Sequence, residues 1–524
     1  GDGDAVAPAG ASPGVERAGH ILLTPDPATF DARRNPGRRY RIAVSPVHAL
    51  TSLGRDEALW FDLQSRGAPF AVVETHNARK ITVRLDADSE ARPEPRQAPP
   101  VLGASTWRIA SAPPPMAALA DILPWFRHDA WIHLAAPHGL EQYGGGAWGV
   151  RDVCQGPVEW LLGEQRYADV REILRTVFSR QYADTGLWPQ WFMPDPYADI
   201  RQRHCHGDVM FWPLKALCDY AEAANDVSLL DMEVPWLPPD DSSDDSAARP
   251  TPLLDHVRRV IRNYRERCVA GTALVSYGDG DWDDTLQPAR PDMRRAMVSA
   301  WTVQLAYQTF GQLAALFRRA GLDKPAADLE ELHARIRADF LRHLMPDGTV
   351  AGFALHRGKG FDPLLHPRDT LSGIQYRLLP MTRGMLSGLF DPAQARVHRD
   401  LIREHLRFPD GVHLMNRPVP YTGGTSRLFQ RAETAAYFGR EVSLQYIHAH
   451  LRYAEAMARI GDPAETWWAL QVANPAGLTA RLPNAAPRQA NVYFSSSDGD
   501  FLDRPQAAAR FHELRDGRRT VKGG

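Results

Sequence analysis

From about Met116 to about residue 480, long segments with apolar residues at helical spacing alternate with long loops rich in glycine and aromatic rings. Val158, Leu161, Leu162, Val170, Ile173, Leu174, Val177 and Phe178 recur at three- and four-residue steps, as one helix face or two joined faces require. Thr251 offers a helix cap with Pro252 in the first turn, and Leu253, Leu254, Val257, Val260 and Ile261 continue the stripe. Trp301, Leu305, Leu313, Leu316 and Phe317 line a helix that stops at Gly321, and Leu329, Leu332, Ile336 and Phe340 make the next. Leu444, Ile447, Leu451, Ala454 and Met457 predict a later one. A coiled coil would show sustained heptads and few such loops. Helices joined by long aromatic loops suit a helical toroid whose loops meet over one end.

Up to about Pro115 the pattern differs. ITVRL at Ile81–Leu85 alternates apolar and polar residues, and Ser89–Pro100 and Ala112–Pro115 are proline-rich connectors. The expected organisation is a partial β-rich module and linker over 1–115, a mainly α domain over 116–480, and the start of another β region over 481–524. Within the helical domain, PPDDSSDDSAAR (Pro238–Arg249) reads as an acidic surface insertion. A start at Gly1 and a finish at VKGG predict an excerpt of a longer polypeptide. A net charge of −2 gives no sign of a nucleic-acid surface or a polybasic membrane patch. The four cysteines lack CxxC pairing, which argues against a disulfide scaffold or zinc module and fits a reducing cytoplasm. No apolar run reaches transmembrane length and no secretory leader is visible. The 14 tryptophans exceed what a core of this size needs, and such rings also serve as floors for sugar faces.

One loop concentrates the chemistry. YGDGDWDDTLQP (Tyr277–Pro288) holds four aspartates around Gly280 and Trp282. Asp279, Asp281 and Asp283 match the start of a calcium loop, but Asp284 stands where that loop needs glycine and Arg290 where it needs glutamate. A solvated acidic turn would strand Trp282 and Tyr277 in water. A carboxylate beside a buried aromatic instead holds a proton near neutrality, which is what a general acid for glycosidic-bond cleavage requires.

Other loops supply compatible parts. Tyr143–Trp160 contains Trp148 and the pair Arg151–Asp152, which either grips sugar hydroxyls or phosphate or simply pins the loop. LWPQWFMPDP (Leu187–Pro196) brings Trp188, Trp191 and Phe192 together as core rings or as a stacking platform. RHCHGD (Arg203–Asp208) invites a metal reading through His204, Cys205, His206 and Asp208, yet no second cluster stands at ligand spacing, so no metal is expected. Glu441 and His448 are seven residues apart, two helical turns and therefore one face.

Together WGVRDVCQGPVEWLL, WPQWFM, HGDVMFWPLKAL, YGDGDWDDTLQP, HPRDT…GIQYRLLPMTRG and NVYFSSSD resemble the inverting glycoside phosphorylases of family 94, the cellobiose phosphorylase-like group. The WG-x-RDVCQGP form is most similar to the members acting on β-1,2-linked oligoglucans. The resemblance implies an (α/α)6 toroid catalytic domain preceded by a β-sandwich and helical linker and followed by a β jelly roll. It implies phosphorolysis of a β-linked gluco-oligosaccharide to α-glucose 1-phosphate, with phosphate as co-substrate, no cofactor, and a homodimer. The last aspartate of the family's DWND pattern falls on Asp284, the implied general acid, and its tryptophan on Trp282 beside the −1 sugar. Arg151 matches an arginine that holds the same sugar. Glu441 and His448 match an E-x6-H segment whose histidine belongs to the phosphate pocket. Asp152, Asp283, Trp148 and Trp191 complete the expected substrate contacts. An inverting hydrolase on the same toroid, with Glu441 or Asp208 as base, is the rival.

Three departures stand out. Asp283 replaces the usual asparagine, adding a charge expected to raise the pKa of Asp284 if the two lie close. Gly156 stands where many members carry a second carboxylate. The family's phosphate-binding Ser/Thr–Gly turn follows a GGW sequence that this chain, ending at Gly523–Gly524, does not contain.

Overall fold

A computed structural model describes residues 14–16, 20–23, 37, 39–46, 50–54, 56–66, 72–88, 114–135, 147–194, 198–238, 249–358, 360–435, 445–474, 478–482, 497–499, 501–515 and 521–523. The chain divides into two compact units, Gly1–Ser105 and Thr106–Gly524.

In the first unit, strands β1 (Gly14–Glu16), β2 (His20–Leu23), β3 (Arg39–Ser45) and β6 (Thr82–Asp88) form an antiparallel sheet in the order β1-β2-β3-β6. Strands β4 (Leu50–Gly54) and β5 (Val72–Thr75) make a separate antiparallel pair. All of the alternating ITVRL segment but Ile81 lies in β6, which pairs along β3 from Ser45↔Thr82 to Arg39↔Asp88.

The second unit is mainly helical. Its helices are α1 (Pro114–Ala135), α2 (Val150–Val153), α3 (Gly156–Gly163), α4 (Tyr167–Phe178), α5 (Trp212–Ala223), α6 (Leu253–Arg267), α7 (Ala300–Arg319), α8 (Asp323–His343), α9 (Leu378–Leu386), α10 (Pro392–His405), α11 (Ile447–Arg459) and α12 (Pro463–Ala473), with shorter pieces between them. Helices α3, α5, α7, α9 and α11 follow one another, each packed on the next. Helix α4 packs against α3 and α5, α8 against α7, α10 against α9, and α12 against α11. Arg452 of α11 reaches both carboxylate oxygens of Glu159 on α3 at 2.9 Å, so the last of the inner helices meets the first. An inner succession that returns on itself, with outer helices laid against it, is the arrangement a helical toroid needs.

The stripes read from sequence explain the packing. Val158, Leu161, Val170, Leu174, Val177 and Phe178 are all fully buried. Each such side chain contributes about 1.5–3 kcal/mol relative to exposure. Helix α7 is buried nearly all round, as an inner helix must be, and ends where Gly321 takes a left-handed φ of +72°.

Two expectations fail. Thr251 does not cap α6: it pairs with Val234 in a two-residue strand, and its hydroxyl accepts from the Trp236 indole at 3.0 Å, leaving Pro252 at the cap position. Leu451 is 41% exposed, on the side of α11 away from its core face. Leu444 and the centre of the acidic insertion lie outside the described residues. Past residue 480, strand Ser497–Gly499 pairs antiparallel with Val521–Gly523, and helices Arg504–Arg510 and His512–Arg515 stand between them in sequence. Among the described residues no helix is long and apolar enough to cross a membrane.

Candidate active site

Arg151 is placed by a small sheet. Strands β7 (Trp148–Gly149), β8 (Trp191–Phe192) and β9 (Arg201–Gln202) pair antiparallel, and the Val150 N–H donates to the Gln190 carbonyl at 3.1 Å. The chain then turns directly into α2, burying Arg151. A Cβ at Gly149 would lie 2.0 Å from Asp152 Oδ2, so the Asp152 side chain packs directly against this turn.

The acidic loop is anchored from below. Tyr277 is fully buried and donates its hydroxyl to the Leu286 carbonyl at 3.0 Å. Asp281 Oδ1 accepts from the Asp283 N–H at 3.0 Å, and Asp281 Oδ2 accepts from Ser299 Oγ at 2.6 Å. Arg377, at the start of α9, donates through Nη2 to Asp281 Oδ1 at 3.1 Å and lies 3.8 Å from Asp283 Oδ2. Burial opposes the charge on Arg377, but Asp281 and Asp283 outweigh it and raise its pKa. Asp283 caps the short turn Asp284–Leu286, accepting from the Thr285 N–H at 3.3 Å and hydroxyl at 2.6 Å. Expected at the substrate, Asp283 is instead fully buried with its carboxylate turned into the fold, because the turn and Arg377 both draw it inward. No calcium cage forms: Asp279 pairs with Arg294 at the surface while Asp281 and Asp283 face Arg377.

Asp284 turns the other way, its side chain 37% exposed. Two nitrogens converge on its Oδ1: Arg151 Nη2 donates at 3.4 Å, and His206 Nδ1 lies 3.3 Å away. The other arm of Arg151 reaches Asp208 at 3.3 and 3.4 Å, and the Trp212 indole donates to Asp208 Oδ2 at 3.0 Å. Burial opposes the Arg151 charge as well, yet Asp208, Asp152 and Asp284 together raise its pKa. Asp208 is fully enclosed, and burial pushes its carboxyl up against the pull of Arg151.

Trp282 joins this half of the site to the start of α11. Its half-buried indole meets Tyr446 edge to face at 4.9 Å and His448 at 5.0 Å. Arg452 Nε donates to His448 Nε2 at 3.4 Å. Burial and then the Arg452 charge depress the His448 pKa to about 3, with Arg383 and Arg151 adding to the effect and Glu159 opposing it. Arg452 is answered by Glu159 and, at 2.8 Å, by Glu455. Arg383, 5% exposed on α9, is answered only by the Gln308 amide oxygen at 3.0 Å, and no carboxylate among the described residues lies within ion-pairing distance. Burial, then repulsion from Arg452, lowers its pKa to about 10.

The structure thus brings together Arg151, Trp282, Asp284 and His448, with Asp152 half-buried beside Arg151. Trp148 and Trp191 are half-buried in the small sheet, Trp148 edge-on to Phe192 at 6.1 Å. Trp188 is core, its indole donating to the Val177 carbonyl at 2.8 Å. Glu441 lies outside the described residues. RHCHGD does not assemble a metal cage, and no cluster of three or more potential ligands occurs among the described residues. Sequence reasoning missed Arg377, Arg383 and the true place of His206. A signal existed for the first: aspartates packed beside a buried ring demand a buried cation.

No family model matches the chain. It is 47% identical over 403 residues to a 1,2-β-oligoglucan phosphorylase from Listeria innocua, an alignment covering 76% of this chain and 36% of that protein. The chain therefore spans little more than a third of that relative. Among solved structures it is similar to a glycosidase (15% identity, TM-score 0.46, 77% of this chain and 94% of that one) and to a rhamnosidase from Klebsiella oxytoca with rhamnose bound (13%, 0.40, 66% and 55%). Both likenesses are too slight to bear on fold or function.

Proposed function

We propose that this chain carries the catalytic portion of an inverting glycoside phosphorylase of family 94, cleaving β-1,2-linked gluco-oligosaccharides to α-glucose 1-phosphate and a shortened acceptor. One observation carries the reading: among the described residues, what stands across Trp282 from the half-exposed Asp284 is a histidine set among arginines and not a second available carboxylate. An inverting hydrolase needs a base for its water, whereas phosphate arrives already anionic. Asp208 is a poor candidate for that base, being fully buried and held by Arg151 and Trp212.

In the proposed reaction the two nitrogens beside Asp284 Oδ1 engage that oxygen, which leaves Oδ2 to carry the proton. That proton passes to the glycosidic oxygen as its bond to the anomeric carbon breaks. A phosphate oxygen forms the new bond from the opposite face, held by His448 and Arg383. The proton of hydrogen phosphate is released, and Asp284 regains one from solvent. No organic cofactor or metal enters the scheme.

The test is made on the full-length protein with sophorotriose. Cleavage is expected only with inorganic phosphate present, giving the α anomer of glucose 1-phosphate. Asp284→Asn is expected to lower turnover by about 10²–10⁴-fold, the usual weight of general acid catalysis, while substrate still binds. Equal cleavage in phosphate-free buffer would overturn the phosphorylase in favour of the hydrolase.

A further inference from the structure

RHCHGD forms no cluster of three or more potential metal ligands among the described residues, and its loop lies directly against the acid loop. The two loops are joined along their backbones: the Gly207 N–H donates to the Gly280 carbonyl at 2.9 Å, and a Cβ on Gly207 would lie 2.4 Å from the Tyr277 carbonyl oxygen. Between them stands His206. Its main-chain N–H donates to Gln190 Oε1 at 2.9 Å, and its Nε2 lies 3.0 Å from Gln287 Nε2. An amide nitrogen is only a donor, so His206 Nε2 accepts and the ring hydrogen sits on Nδ1. That Nδ1 is 3.0 Å from the Asp281 carbonyl oxygen and 3.3 Å from Asp284 Oδ1.

We infer that His206 is the positioning residue of the proton donor: its Nδ1–H, shared between the Asp281 carbonyl and Asp284 Oδ1, steadies that oxygen and so presents Oδ2 to the glycosidic oxygen. The inference rests on Asp284 being the general acid. Around the imidazole stand the carboxylate of Asp284 and the main-chain carbonyl of Asp281 from the acid loop, Asp208 from its own loop, and Arg151 from α2. Arg151 is already committed to Asp208 through its other arm. Its remaining arm donates to Asp284 Oδ1 at 3.4 Å, one constraint on that oxygen. The imidazole supplies the second constraint, and two constraints on one oxygen define which oxygen remains for the proton.

The consequence is specific to one nitrogen. Asparagine at 206 places its amide N–H near the position of Nδ1, whereas glutamine reaches toward that of Nε2. In the full-length protein His206→Gln is expected to lower kcat about 10–100-fold with KM for oligoglucan little changed, less than the about 10²–10⁴-fold of losing the general acid itself. Loss of a donor to the carboxylate also favours its protonated form. The alkaline limb of the kcat profile for phosphorolysis, which needs Asp284 protonated, is therefore expected to move to higher pH. His206→Asn should restore both the rate and the limb. If both variants match wild type, or both fall equally while keeping the wild-type melting profile, the inference is overturned and Asp284 can still be the acid. If Asp284→Asn keeps full turnover, the acid assignment itself fails and the positioning role falls with it.

Discussion

Two arginines in one short segment, QYRLLPMTRG, are equally hidden and differently answered. Arg377 is 1% exposed, Arg383 5%. Arg377 meets two carboxylates and lies over the Phe353 ring at 4.5 Å, and its pKa is raised. Arg383 meets one neutral amide and lies toward the rings of Trp212 and Trp301 at 5.5 and 5.7 Å, and its pKa is lowered to about 10. Burying a guanidinium costs several kcal/mol, which a good ion pair offsets and an amide does not. The first arginine thus stabilises the fold. The second is a cost to the fold unless a ligand supplies the missing negative charge. That difference separates the clamp of the acid loop from the proposed seat of the phosphate.

The largest expected effect breaks the first half of the comparison. Arg377→Met leaves Asp281 and Asp283 buried without their cation, and removal of one partner from a buried pair costs about 3–5 kcal/mol. Urea unfolding should show that loss, with turnover falling as Asp284 loses its support. A variant as stable as wild type would mean that Arg377 is no clamp. Arg383→Met removes a buried charge that has no carboxylate partner, and similar-sized apolar replacements of buried charges are often neutral or stabilising. Stability should therefore hold, while KM for phosphate rises about 10–100-fold, the weight of one or two hydrogen bonds to a charged group. A large stability loss with unchanged phosphate KM would reverse the roles of the two residues.

The helices were readable because their signal is local. The stripe through Val170, Ile173, Leu174 and Val177 needs only a 3.6-residue repeat, and all four are buried. Thr251 was misread because its hydroxyl is taken by Trp236, a contact no local window contains. The acid loop was half legible. Its composition called for a carboxylate beside an aromatic ring, and resemblance selected Asp284. Nothing in the run of aspartates says which face inward, since that depends on Arg377, on Ser299 and on a turn capped by Asp283. The same holds for His206. As one of two histidines flanking a cysteine it suggests metal, and only the pairing of Gly207 with Gly280 brings it to the acid.

The smallest effect sharpens the comparison by adding the anion without chemistry. Sulfate remains a dianion from pH 8 to 5, so any pH dependence of its binding reports the protein. A ligand at a hundred times its Kd adds about 2.7 kcal/mol of stability. That increment is expected in wild type and in Arg377→Met, each from its own baseline, and to shrink in Arg383→Met. In the free protein the His448 pKa is held at about 3, far below its usual 6.5. The unfolded chain therefore binds a proton that the native imidazole refuses, and stability is lost as pH falls below about 6.5. A dianion beside His448 favours the imidazolium and draws the pKa back up, so binding takes up a proton and tightens as pH falls. The sulfate increment in melting temperature should accordingly be larger at pH 5.5 than at pH 7.5, and the difference should vanish in His448→Asn. An increment flat across that range would place the anion away from His448, leaving Arg383 with a different partner.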